Sequence, residues 1–101
     1  MTIASGLEIP IETLDPLCRR YQVKEMSVFG SVARGEARPE SDIDILVEFF
    51  PGHTIDIFDF GHLEGDLSTL LGRRVDLVSR RGMNPRIAPH ILRDARLIYA
   101  A

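Results

Sequence analysis

The chain has 101 residues, which is enough for one domain, since domains commonly contain roughly 100–200 residues. Hydrophobic residues make up 45% of it and charged residues 27%, ordinary values for a globular protein that argue against a disordered chain. Lys and Arg total 12 against 15 Asp and Glu, so we expect no direct nucleic-acid binding, which usually needs a basic face. The single cysteine, Cys18, excludes an internal disulfide and a multi-cysteine zinc site.

The sequence contains no sign of a membrane or secreted protein. Asp or Glu interrupts every apolar stretch well short of the roughly 18–20 residues that cross a bilayer. The segment 1–15 lacks a basic region followed by an apolar run, so we expect no secretory signal. We therefore expect a single domain, residues 1–101, located in the cytoplasm.

Hydrophobic periodicity predicts seven helices and strands. In chain order they are a helix over Ile11–Tyr21, strands over Met26–Phe29 and Ile43–Phe49, a helix over Ile55–Leu71, a strand over Arg74–Val78, a short helix over Asn84–Arg93 and a strand over Leu97–Tyr99. The first helix is either kinked at Asp15-Pro16 or begins there. A helical crossover joins the second and third strands, so these should be parallel. The fold class is α/β, or α+β, with a small mixed sheet flanked by helices.

An acidic cluster is the most informative feature of the sequence. Asp42 and Asp44 are two residues apart at the start of the second strand, so their side chains should project from the same face. Asp76 lies near the start of the third strand, and parallel strands would bring it beside that pair. An antiparallel first strand would deliver Gly30-Ser31 to the same edge. We therefore expect three carboxylates at one edge of the sheet.

Such a cluster has an electrostatic cost that a cation would remove. Two like charges about 4 Å apart repel by about 4 kcal/mol at an effective dielectric constant near 20. Oxygen ligands without a nearby cysteine or adjacent histidine favour Mg²⁺ or Mn²⁺ over Zn²⁺. Magnesium sites of this kind serve phosphoryl or nucleotidyl transfer.

The Gly30-Ser31 step fits phosphate chemistry as well. Gly30 allows the backbone to turn sharply and to approach a ligand without a Cβ clash. Ser31 can cap a short turn over Ser31–Arg34 while its hydroxyl faces a phosphate. The residues by themselves therefore predict phosphate, metal and three carboxylates at one edge.

These motifs resemble the nucleotidyltransferase superfamily with the DNA-polymerase-β-type fold, and more narrowly the minimal nucleotidyltransferase (MNT) antitoxins paired with HEPN toxins. The family pattern is Gly-Ser, ten residues, then Asp-x-Asp. The matching residues are Gly30-Ser31, the ten residues Val32–Ser41, Asp42-Ile43-Asp44, the flanking Ala33-Arg34-Gly35 and Asp76 on the later strand. The resemblance covers about Ile9 to Tyr99, nearly the whole chain.

The resemblance implies an enzyme that transfers AMP from ATP to a tyrosine of a cognate HEPN ribonuclease toxin and so inactivates it. Asp42 and Asp44 would hold two Mg²⁺ ions, and Asp76 would complete the ion nearer the acceptor hydroxyl and help to deprotonate it. Gly30 and Ser31 would bind the β- and γ-phosphates. Base preference, the target tyrosine, the number of AMP units and the oligomeric state do not follow from the sequence.

Several alternatives remain open at this point. Arg34 is assigned to nucleotide binding, but a salt bridge to Glu36, Glu40 or another acid is equally compatible with its position. Arg73 and Arg74 precede Asp76 and could contact triphosphate or toxin, by position rather than by motif. The chain could also be a non-catalytic antitoxin that acts by binding, or a subunit of a small-molecule nucleotidyltransferase.

Overall fold

The computed structural model of the chain describes residues 7–101. Residues 1–6, which form part of the segment in which no secretory signal is expected, lie outside the described residues. The helices are α1 (Ile11–Arg20), α2 (Gly30–Arg34), α3 (Ile57–Leu71) and α4 (Ala88–Asp94), and the strands are β1 (Val23–Phe29), β2 (Ile43–Phe49), β3 (Val75–Ser79) and β4 (Arg96–Ala100). No helix among the described residues is long and apolar enough to cross a membrane.

The four strands form one mixed sheet in the order β3-β2-β1-β4. β1 is antiparallel to both β2 and β4, whereas β2 and β3 are parallel. The predicted α/β class, the parallel pair and the antiparallel first strand are therefore confirmed. In this arrangement the end of β1 and the starts of β2 and β3 lie together at one edge of the sheet, namely the edge formed by the strand ends.

The hydrophobic core lies on one face of the sheet. In β2, Ile43, Ile45 and Val47 are fully buried and alternate with less buried residues on the other face. The same cluster includes Leu14 and Cys18 of α1 and Leu63 and Leu67 of α3. Because side chains alternate along a strand, the burial of Ile43 and Ile45 places Asp44 on the face away from this core.

Several predicted boundaries differ from the structure. Most shifts are of one or two residues, as for α3, which begins at Ile57 instead of Ile55, and for β3, which covers Val75–Ser79 instead of Arg74–Val78. The predicted start of α1 at Ile11 is confirmed, and the helix contains Pro16, so the alternative start at Asp15-Pro16 is wrong. β1 begins at Val23, three residues earlier than predicted. α4 begins at Ala88, four residues later than predicted, and the Asn84 side chain closes the turn before it by accepting a hydrogen bond from the Arg86 N–H at 2.9 Å.

The outer edge of β3 is covered by side chains of α3. The carboxylate of Glu64 accepts a hydrogen bond from the Leu77 N–H at 2.8 Å, and the hydroxyl of Ser68 accepts one from the Val75 N–H at 3.0 Å. An unpaired edge strand exposes backbone donors that can pair with other chains. Glu64 therefore protects this edge and is not simply a solvent-facing acid of α3.

Candidate active site

Asp44 and Asp76 are direct neighbours in the sheet. They occupy paired positions in the parallel register of β2 and β3. Val75 and Leu77 are buried on either side of Asp76, so Asp76 projects to the face opposite the core, as Asp44 does. Asp44 is half-buried and Asp76 is exposed. The register thus brings together the two aspartates that the crossover argument predicts.

The environment of Asp44 disfavours its negative charge. Burial raises the pKa of the Asp44 carboxyl above its ordinary value, and the charges of Asp76 and Asp42 raise it further. The positive charge of Arg34 acts in the opposite direction but does not cancel the rise. Like charges disfavour ionisation only when they are close. Asp44 thus interacts with the charges of both other aspartates, and Asp76 is also its partner in the sheet register. The three residues Asp42, Asp44 and Asp76 are here called the acidic edge.

Gly30 lies directly against the Asp44 carboxylate of the acidic edge. Phe29, the last residue of β1, pairs with Asp44, and Gly30 follows with φ of 71°, in the left-handed region that favours glycine. A Cβ built on Gly30 would overlap the Oδ2 atom of Asp44. A side chain at this position would therefore displace the Asp44 carboxylate, which gives a physical reason for glycine here.

Ser31 does not act as a helix cap. α2 has Phe29 at its N-cap position, and no side chain makes a capping hydrogen bond there. The expected capping role of Ser31 is therefore wrong. Within residues 7–101 its hydroxyl makes no hydrogen bond, so it is available to a ligand at the same edge as Asp44.

Arg34 is held by two acids. Its Nε atom lies 3.1 Å from Glu36 and its Nη1 atom 2.9 Å from Asp94. Both pairs raise the pKa of the guanidinium further. The salt-bridge alternative thus describes the structure as it stands, and Asp94 is a partner that no local pattern indicates. Arg34 remains close enough to Asp44 to act on its carboxylate electrostatically.

Asp42 faces Arg74 across the start of the parallel pair. The Nε atom of Arg74 lies 3.8 Å from the Asp42 carboxylate, with the Arg74 side chain 77% exposed and that of Asp42 43% exposed. An ion pair of this kind is commonly worth no more than about 1 kcal/mol. Arg74 can therefore leave Asp42 at little cost when another cation is present. Arg73 points elsewhere, to the backbone of the loop before β2.

The acidic edge fits a hard divalent cation by its chemistry. Within residues 7–101, no three acidic, histidine or cysteine side chains are close enough together to enclose an ion. The three aspartates thus interact electrostatically, but their side chains do not surround a single point at which an ion would be enclosed. Their carboxylate oxygens are the ligands that Mg²⁺ and Mn²⁺ prefer, and the unfavourable charge on Asp44 is what such an ion would relieve.

The chain matches known proteins along most of its length. Residues 11–98 match the model of the family described as nucleotidyltransferase domain. The chain is 45% identical over 78 residues to the protein adenylyltransferase MntA of Thermococcus cleftensis, covering 77% of each chain. A solved structure described as a minimal nucleotidyltransferase is 45% identical, with a TM-score of 0.68, covering 90% of this chain and 98% of that one.

A second solved structure shares the fold at lower identity. It is a toxin–antitoxin crystal structure with AMP-PNP, 23% identical, with a TM-score of 0.75, covering 92% of this chain and 75% of that one. At this identity the likeness shows the architecture alone. The family match and the two relatives at 45% identity establish the classification. The chain is a nucleotidyltransferase, and it belongs to the minimal nucleotidyltransferase (MNT) group that its Gly-Ser and Asp-x-Asp motifs resemble.

Proposed function

We propose that this chain acts as a single domain in the cytoplasm and transfers AMP from ATP to a tyrosine hydroxyl of a cognate HEPN ribonuclease toxin. The reaction uses two Mg²⁺ ions and inactivates the toxin. The observation that carries the proposal is the acidic edge, where Asp44 is paired in register with Asp76 and carries an unfavourable charge. A charge cluster of this kind is costly to maintain without a ligand.

The relatives support the donor and the class of acceptor. The Thermococcus cleftensis relative is named a protein adenylyltransferase, which implies an adenylyl donor and a protein acceptor for that protein. The structure with the same fold contains a toxin and AMP-PNP, an ATP analogue. We carry the adenylyl group, the protein acceptor and the toxin partner over to this chain as parts of the proposal.

The side chains of the acidic edge divide the work. Asp42 and Asp44 would hold the metal ions, with Asp76 completing the ion nearer the acceptor, and Gly30 leaves room for the Asp44 carboxylate where a side chain would displace it. The Ser31 hydroxyl donates a hydrogen bond to the β- or γ-phosphate. Bound Mg²⁺ supplies charge neutralisation at the attacking and leaving oxygens of an in-line displacement.

The exposed Asp76 is accessible to a protein acceptor and takes the proton of the tyrosine hydroxyl. A bond forms between the tyrosine oxygen and the α-phosphorus, and the bond from the α-phosphorus to the bridging oxygen breaks. Pyrophosphate leaves with the electron pair of that bond. The ion pairs with Glu36 and Asp94 hold the Arg34 guanidinium in place, and its positive charge acts on Asp44. In this proposal Arg34 attracts the anionic nucleotide.

The experiment uses a HEPN-type ribonuclease toxin as the acceptor. The two proteins are incubated with Mg²⁺ and ATP labelled at the α-phosphate, with α-labelled GTP, CTP and UTP as comparisons. We expect label on a toxin tyrosine, located by mass spectrometry, and no label with the double variant Asp42→Asn/Asp44→Asn. Absence of label with ATP and every divalent ion tested would contradict the proposal.

A protection assay separates catalysis from binding. Cells that express the toxin are rescued either by the wild-type chain or by the double variant. We expect rescue by the wild type only. Full rescue by the double variant would instead favour a non-catalytic antitoxin, and transfer to a small molecule in place of the toxin would favour a small-molecule nucleotidyltransferase subunit.

A further inference from the structure

Arg73 binds the loop that leads into the Asp-x-Asp pair. Its Nε and Nη2 atoms donate to the carbonyl oxygen of Ser41 at 3.2 and 2.6 Å. Its Nη2 atom also donates to the carbonyl oxygen of Arg38 at 3.1 Å. One half-buried side chain thus reaches two backbone carbonyls that lie 32 and 35 residues away in the sequence.

The loop that Arg73 binds is closed on itself. The Ser41 N–H donates to the Arg38 carbonyl at 3.0 Å, and the Arg38 N–H donates to the Ser41 hydroxyl at 3.0 Å. Most residues between Gly35 and Glu40 are exposed and belong to no helix or strand. Arg73 therefore holds both ends of a four-residue turn that few other contacts restrain.

The chain continues from this turn directly into the acidic edge. The carbonyl of Ser41 belongs to the peptide group that begins Asp42, so a hydrogen bond to it fixes the plane of that peptide. On the other side of Asp42, the Ile43 N–H donates to the Arg74 carbonyl at 2.9 Å. Residues 73 and 74 thus hold the backbone immediately before and immediately after Asp42.

We propose that Arg73 is a positioning residue for the metal-binding site, acting through the backbone of Asp42. This rests on the proposed function, since it needs Asp42 to bind a metal ion. Arginine suits the task because its planar group presents several donors in a fixed fork, whereas the ammonium of lysine is a flexible point charge. The sequence alone suggests instead that Arg73 contacts triphosphate or toxin. Its donors are directed to the Ser41 and Arg38 carbonyls.

The test compares Arg73→Gln and Arg73→Lys with Arg81→Gln, an exposed arginine in the second Arg-Arg pair of the sequence. Mn²⁺ binding in the presence of AMP-PNP is measured by electron paramagnetic resonance, and hydrogen exchange is measured for residues 36–43. We expect Arg73→Gln to weaken Mn²⁺ binding by about 10- to 100-fold, the usual effect of losing a group that orients a ligand. Arg73→Lys should fall between Arg73→Gln and the wild type, and Arg81→Gln should match the wild type.

Hydrogen exchange separates positioning from general stabilisation. We expect Arg73→Gln to accelerate exchange of residues 36–43 while exchange of the core strands stays unchanged. Exchange that accelerates equally throughout the chain, or Mn²⁺ binding no weaker than in Arg81→Gln, would overturn the proposal. If the wild-type chain binds no Mn²⁺, the proposed function fails, and unchanged exchange of residues 36–43 in Arg73→Gln would separately overturn the contact.

Discussion

Gly30 lies so close to Asp44 that a Cβ on Gly30 would overlap the Oδ2 atom of the Asp44 carboxylate. This contact joins the end of β1 to the start of β2 and sets the shape of the acidic edge. It also connects the two halves of the family motif in space, since Gly30 opens the Gly-Ser step and Asp44 closes the Asp-x-Asp pair. The two ends of the family motif, Gly30 and Asp44, are thus in direct contact in the folded chain.

The first prediction separates this contact from backbone strain by comparing Gly30→Ala with Gly52→Ala. Both glycines have positive φ, 71° and 78°, but nothing lies within 4 Å of a Cβ built on Gly52. Both variants should lose about 1–2 kcal/mol of unfolding free energy because alanine is strained in this region. Only Gly30→Ala should lower the transfer rate, by about 100-fold, because it displaces the Asp44 carboxylate. Equal transfer rates for the two variants would contradict this account.

The second prediction concerns Asp44→Asn without metal. Because the folded-state pKa of Asp44 is raised, its protonation stabilises the fold fully below the ordinary aspartate pKa, and this stabilisation is lost as the pH rises through the raised value. At pH 7 the charged carboxylate is therefore unfavourable, and Asp44→Asn should leave the metal-free Tm unchanged or raise it. Any increase should disappear when the pH falls below the ordinary aspartate pKa. Calorimetry across this pH range measures both effects.

Asp56→Ala is the matched comparison for Asp44→Asn, since Asp56 is an acid with a structural role. Its carboxylate accepts a hydrogen bond from the Asp59 N–H at 2.8 Å and caps α3. Loss of such a cap costs about 1 kcal/mol, and about 1 kcal/mol lowers Tm by about 4–8 °C in a domain of this size. A fall of that size in Asp44→Asn at pH 7 would mean that Asp44 is a structural acid too.

The third prediction concerns the covered edge of β3. Glu64→Ala removes the acceptor of the Leu77 N–H and should lower the unfolding free energy by about 1–2 kcal/mol. Amide exchange at Leu77, measured by NMR, should accelerate. The control is Glu12→Ala, an exposed glutamate of α1 that should change stability by no more than about 0.5 kcal/mol. An unchanged Leu77 exchange rate would show that the hydrogen bond does not protect this edge.

The fourth prediction concerns the buried thiol. Burial, with a smaller effect from the charge of Asp15, raises the pKa of Cys18 to about 12. The neutral thiol stabilises the fold fully below the ordinary cysteine pKa, and this is lost as the pH rises through about 12. Since the thiolate is the reactive form, labelling of native protein by iodoacetamide at pH 8 should be slow and should accelerate with urea. An exposed thiol introduced by Thr69→Cys should react at once, and equally fast labelling of Cys18 would contradict its burial.

Much of the acidic edge can be predicted from the local sequence pattern. The two-residue spacing of Asp42 and Asp44 predicts that they share a face, because side chains alternate along a strand. In the structure β2 begins at Ile43, so Asp42 lies one residue before the strand. The helical pattern between β2 and β3 predicts that these strands are parallel, and in the structure their register pairs Asp76 with Asp44. Alternation and crossover geometry depend on neighbouring residues and on chain connectivity, so a single sequence contains them.

The binding partners of long polar side chains, in contrast, do not follow from local pattern. Glu64 of α3 binds the backbone of β3, which no local pattern indicates. Arg73 precedes Asp76 in the sequence, which is compatible with a contact to triphosphate or toxin, but it binds the loop before Asp42. Arg34 likewise donates a hydrogen bond to Asp94, which is 60 residues away in the sequence.

By itself, therefore, the sequence determined the order and type of the elements and the parallel pair, and it predicted which aspartates lie at the edge, since these follow from periodicity and connectivity. Only the tertiary structure decided that Gly30 accommodates the Asp44 carboxylate and that Arg73 holds the turn before Asp42. The physical reason is that a flexible side chain binds whichever donor or acceptor the folded backbone brings within about 3 Å of it. That choice depends on residues far away in the sequence.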